Sequence, residues 1–137
     1  MPNRRESPSA MLATQAWGWT SIILGLITVI SGPTRYSSAE YFPLEAIPGA
    51  PYSWGALFIV AGAAVAVGDK ARLWTLRNTG MWALIVAFLG LAGCFLYAGI
   101  HDPQASLGQV VIDASIALHL MVLQRLKRPE PPPVDPL

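Results

Sequence analysis

The chain has 137 residues, enough for one domain, of which 53% are hydrophobic and only 12% charged. A soluble domain this small keeps much of its surface in water and carries roughly 25% charged residues, so the composition excludes a soluble enzyme, a disordered chain and, with a single cysteine, a disulfide scaffold. A net charge of +1 offers no basic stripe for nucleic acid, and a mean hydropathy of +0.46 points to an integral membrane protein.

Charge-free stretches mark the elements in chain order. Glu6 and Arg35 bracket 28 uncharged residues, Glu45 and Asp69 bracket 23, and Arg77 and Asp102 bracket 24. A bilayer core of about 30 Å takes ~20 residues of helix at ~1.5 Å each. The first span is therefore expected over residues 14–32. Within it Thr14, Gly18, Ser21, Gly25, Thr28 and Gly32 recur at alternating spacings of four and three, while Ile22, Ile23, Leu24, Leu26, Ile27, Val29 and Ile30 lie off that seam. Helices in lipid associate by close backbone approach and interhelical hydrogen bonds. The seam thus reads as a packing surface within one copy or between copies, with a water-lined path as the alternative.

The connection that follows holds Pro33, Pro43, Pro48 and Pro51, so it cannot be one continuous helix. It reads as a shaped cap, or as a binding loop, that turns into span 2 through residues 46–52. Ser37-Ser38-Ala39 resembles a small-residue cleavage site, but it lies well past the end of an apolar run too long for a signal core. The first span is expected to stay in place.

Span 2 is expected over residues 52–68, rich in Ala and Gly. Its Trp54-Gly55 with Gly62 echoes Trp17-Gly18 with Gly25 in span 1, the pattern of a remnant inverted repeat. Span 3, residues 80–100, sets Gly90, Cys94 and Ala98 four apart, again suited to close packing. The lone Cys94 reads as a small apolar residue. It excludes redox chemistry built on cysteine pairs, such as that of the four-helix quinone-linked thiol oxidases.

Span 4, residues 104–126, carries the polar chemistry. Gln109, Asp113 and His119 interrupt an otherwise apolar centre. One central Asp costs ~2.5–3.5 kcal/mol of insertion, which neighbours such as Val110, Val111, Ile112, Ile116 and Leu118 can offset. At ~100° per residue Asp102, Ser106, Gln109, Asp113 and Gln124 share one arc, with Ser115 and His119 on the other side. Asp113 lies about 16 Å along the helix from Asp102, roughly mid-bilayer. With no Lys or Arg inside any span, it must stay neutral, bond to Ser or Thr of span 1, meet its copy in an oligomer, or be wet. Ser106, Gln109 and Asp113 form the candidate intramembrane polar face, since an intramembrane ionisable residue is a functional candidate by default. His119 has no second ligand at helical spacing, and no metal or cofactor motif, nucleophile–base pair or phosphate cradle appears. Enzyme function is not expected.

Residues 1–128 make the membrane domain, and the proline-rich residues 129–137 an extended tail. Eight of nine basic residues (Arg4, Arg5, Lys70, Arg72, Arg77, Arg125, Lys127 and Arg128) fall on one side of a four-span arrangement, and only Arg35 on the other. The positive-inside rule puts both termini in the cytoplasm. Such a bias argues against dual-topology exporters or fluoride channels. Trp17, Trp19, Trp74 and Trp82 fall at inner edges, and Tyr36, Tyr41, Phe42, Tyr52, Trp54 and Tyr97 near outer ones, as amphipathic rings favour. The expected fold is all-α, an integral bundle of four transmembrane helices in the cytoplasmic membrane.

Trp17-Gly18-Trp19, the stretch Ile47-Pro48-Gly49-Ala50-Pro51-Tyr52-Ser53-Trp54-Gly55 and the chain's size resemble the small four-span membrane proteins of bacteriophages that infect actinobacteria. Several of those are regarded as holin-like. The resemblance implies a protein that forms homo-oligomers in the cytoplasmic membrane and breaches it during host lysis. Two other classes fit the residues: a membrane anchor, interaction or superinfection-exclusion protein that meets a protein partner through the outer loop or the proline tail, and a small proton-coupled transporter that uses Asp113.

Overall fold

The computed structural model describes residues 8–35, 47–102 and 107–126. They form four helices: α1 (Pro8–Arg35), α2 (Tyr52–Lys70), α3 (Trp74–His101) and α4 (Gly108–Leu126). No strand occurs among the described residues. The helices α1, α2 and α3 are long and apolar enough to cross a membrane. The fourth, with Gln109, Asp113, His119 and Gln124 among its 19 residues, is less apolar. The outer connection over 36–46 and the proline tail lie outside the described residues.

Local chemistry sets the helix limits. Pro8 opens α1, where a missing N–H costs nothing. Gly32 breaks it with φ +58°, ψ −164°, and Pro33 removes the next amide donor. This is where the sequence places the end of span 1. The chain re-enters through a turn in which Ala50 N–H donates to Ile47 O at 3.1 Å. The end of α2 is a Schellman motif. Leu73 N–H reaches Gly68 O at 2.8 Å and Arg72 N–H reaches Asp69 O at 3.3 Å. The left-handed position that glycine usually fills is held by Arg72, at φ +56°, a conformation that costs an L-residue about 1 kcal/mol or more. Asp102, extended at φ −129°, ψ 108°, ends α3, as a residue before proline prefers.

The helices pack in chain order: α1 along α2, α2 along α3, α3 along α4, with only slight contact between α1 and α4. The buried core runs through α2, α3 and α4 and holds Phe58, Val65, Met81, Leu84, Ile85, Phe88, Ala117, Leu120 and Leu123. Phe58 and Phe88 meet at 5.2 Å between ring centroids. Large apolar side chains also cover the outside: Ile30 is 81% exposed, Val60 67%, Ile100 71% and Val111 66%. A surface as apolar as the interior is what hydrocarbon, not water, tolerates.

Trp17 and Trp54, expected at the membrane edges, turn their rings inward. Trp17 lies 6.5 Å from Phe88 and 5.8 Å from His119, and Trp54 lies 6.5 Å from Phe58. Trp19 and Trp82 remain exposed.

Candidate functional site

All six residues of the α1 seam are buried, with Thr14 at 0% and Ser21 at 1% exposure. The glycines of that seam lie against α2. A Cβ placed on Gly25 would stand 2.5 Å from Gly55 O and 2.7 Å from Ile59 Cγ1, and one on Gly18 would stand 3.1 Å from Gly62 O. The fit is reciprocal. Gly62 faces Gly18 O and Ile22, and Gly55 faces Gly25 O and Val29. Gly25 on Ile59 therefore mirrors Gly62 on Ile22, and Gly18 on Ala66 mirrors Gly55 on Val29. The two Trp-Gly motifs and their distal glycines relate α1 and α2 by a local two-fold axis, the arrangement that their shared spacing in the sequence suggests. The hydroxyls of Thr14 and Thr28 donate back to Ala10 O at 3.0 Å and Leu24 O at 2.9 Å. Such bonds satisfy the hydroxyls within the helix.

On α4 the structure brings Gln109 and Asp113 together. Gln109 Nε2 donates to Asp113 Oδ1 at 3.1 Å. Asp113 is 3% exposed, and its Oδ2 is buried with no hydrogen-bond partner among the described residues. Ser106, the third member of the expected face, lies outside the described residues. The buried residues Asp113, Ala117, Leu120 and Leu123 form one stripe of α4, the helix that packs along α3. Gln124 Nε2 donates to Asn78 Oδ1 at 2.6 Å and so ties the far end of α4 to the start of α3.

A second polar group was not legible as a site. At the end where α2 turns into α3, Asp69 Oδ2 accepts from Gln15 Nε2 at 3.0 Å, and Asp69 Oδ1 meets Arg77 Nη1 at 3.5 Å. The two charged side chains are only 4% and 5% exposed. The Arg77 guanidinium also lies over the Trp74 ring, its carbon 4.1 Å from the centroid. Gly68 allows this closeness, because a Cβ there would stand 2.5 Å from Arg77 N. In the sequence Asp69 and Arg77 read as markers of span edges. Folded, they join α1, α2 and α3 in one buried ionic cluster. The one available hint was Gln15, a polar residue inside a charge-free stretch.

Among the described residues no group of His, Cys, Asp or Glu is placed to hold a metal ion. Geometry and composition together define an all-helical, membrane-embedded protein. No family model, curated protein or solved structure matches the chain.

Proposed function

We propose that the chain is a non-enzymatic, four-span protein of the cytoplasmic membrane with both termini in the cytoplasm, and that it acts as a holin-like protein whose copies associate and breach the bilayer. The observation that carries this reading is the state of α4. It turns Asp113 toward the protein while Val111, Ile112, Leu118 and Val122 stay exposed, which supports α4 as a fourth span despite its charge. Yet among the described residues α4 packs extensively along α3 alone, and there Asp113 keeps a buried oxygen without a hydrogen-bond partner. An unsatisfied buried polar atom costs about 1–3 kcal/mol. A helix held on one side, with such a cost on its packing face, gains by pairing anew. Copies of the chain or water supply the missing hydrogen bond, and the polar face of α4 then lines a breach.

Induced expression in a bacterial host tests this, read by a membrane-potential dye and by growth. Expected are depolarisation and growth arrest without any lysin. Asp113→Leu keeps insertion but impairs the breach, and Asp113→Asn is milder, because the amide still bonds. If Asn abolishes the breach as fully as Leu, ionisation is required, and proton coupling replaces a simple polar face. Strong, inserted expression that leaves potential and growth untouched refutes the holin-like reading. The anchor or exclusion reading then takes its place, and the tight joining of α1, α2 and α3 already suits it.

A further inference from the structure

Beside the α2–α3 turn lies a half-open cavity of about 310 Å³ lined by Met11, Gly68, Asp69, Arg72, Trp74 and Arg77. That volume sits at the lower end of small-molecule sites, about 300–1,000 Å³. Its described lining holds two arginines, Arg72 and Arg77, and one acid, Asp69. Asp69 already accepts from both Gln15 and Arg77, while Arg72 is exposed. The first turn of α3 opens at the same place with no side-chain cap and no acidic residue, so its leading amides are donors without helical acceptors. Arg72 holds a left-handed backbone conformation that glycine adopts freely. Val67, Leu73 and Leu76, chain neighbours of the lining residues Gly68, Arg72, Trp74 and Arg77, are exposed apolar side chains.

We propose that this cavity binds the phosphate of an anionic membrane lipid, with the exposed Arg72 directed at the phosphate oxygens, Arg77 held on Asp69 behind it, and Met11 and Trp74 flanking the glycerol end. A guanidinium suits phosphate oxygens by its planar array of donors, and the exposed Val67, Leu73 and Leu76 suit the acyl chains. The inference rests on α2 and α3 lying in a membrane and not on the holin-like reading.

The test uses the full chain in a mild nonionic detergent. Its apparent unfolding midpoint is followed as phosphatidylglycerol, phosphatidylcholine or inorganic phosphate is added, because a ligand that binds only the folded state raises the midpoint. Phosphatidylglycerol is expected to raise it saturably, at a half-saturation at least tenfold lower than phosphatidylcholine needs. Arg72→Gly separates fold from site. It relieves the left-handed strain, so the lipid-free midpoint rises or holds, while half-saturation by phosphatidylglycerol weakens at least tenfold. Lys70→Gln, one turn position away and outside the lining, keeps the wild-type response. A full lipid response in Arg72→Gly, or equal responses to the two lipids, overturns the proposal. If inorganic phosphate matches the half-saturation of phosphatidylglycerol with the same dependence on Arg72, the phosphate site stands and the lipid is overturned as its source. Resistance of Arg72→Gly to alkaline extraction from membranes shows that a lost response is not a lost insertion.

Discussion

Adding one methyl group at Gly25 is expected to separate α1 from α2. A Cβ there would stand 2.5 Å from Gly55 O, 2.7 Å from Ile59 Cγ1 and 2.9 Å from Ile59 N. Two of these neighbours are backbone, so no rotamer change relieves them. Ordinary contact begins near 3.4 Å, and the helices must part locally by about 0.9 Å to reach it. A radial gap of ~0.5–1 Å forfeits a quarter to a half of each dispersion contact it opens. Overpacking of this kind costs about 1–3 kcal/mol. Alanine also gains up to ~1 kcal/mol of helix propensity over glycine, so Gly25→Ala alone understates the clash. Gly93→Ala on α3 supplies the reference. It gains the same propensity, and a Cβ there meets nothing within 4 Å. The difference between the two variants isolates the close approach and is expected to be about 2 kcal/mol. Gly18→Ala, at 3.1 Å from Gly62 O, falls between them. Unfolding from mild-detergent micelles by added dodecyl sulfate, followed by circular dichroism, measures the series. Equal stability of Gly25→Ala and Gly93→Ala refutes the claim that backbone contact at the seam holds α1 to α2.

Reporter fusions at Glu40, Lys70, Asp102 and Val134 are expected to read outside, inside, outside and inside; a cytoplasmic Glu40 reporter overturns the four-span arrangement. Arg77→Met leaves Asp69 buried without its cation, for an expected loss of about 3 kcal/mol. The double change Asp69→Leu with Arg77→Met recovers most of that in the same unfolding assay, and a double variant as unstable as the single one shows that the cluster is not an ion pair of this kind. Leu24→Ala, on an exposed position of α1, is expected to matter much less than Gly25→Leu for recovery of folded protein.

The sequence made the helices legible because charges bound them and prolines interrupt them. Gly32-Pro33 breaks α1 where the sequence puts the end of span 1, and Pro51 precedes α2 where it puts the start of span 2. The α1 seam was equally legible, since a repeat of small residues at alternating spacings of four and three generates one stripe whatever lies opposite. What lies opposite was not. Only the fold pairs Gly25 with Gly55 and Gly18 with Gly62, although the matching Trp-Gly motifs carried a trace of it. On α4 the spacing of Gln109 and Asp113 announced their contact, because residues four apart share a helix face.

The Asp69–Arg77–Gln15 cluster escaped for a physical reason. Its members belong to three helices and converge only because the turn at Arg72 folds α3 back onto α2, and no periodicity within one helix encodes that. Counting Lys and Arg to orient spans treats every charge as solvated. Arg77 shows the limit of that count, since it is buried on Asp69 and Trp74. Arg72 and Lys70 remain exposed beside it. In the proposed four-span arrangement Arg4, Arg5, Arg125, Lys127 and Arg128 fall on the same side as Lys70 and Arg72 without Arg77. The same turn thus divides its cations between two tasks. One guanidinium closes the bundle, and another, held at a backbone position suited to glycine, faces outward at the mouth of a cavity. Binding measured with Arg72→Gly tells these tasks apart, since a purely structural arginine at that position would be better replaced.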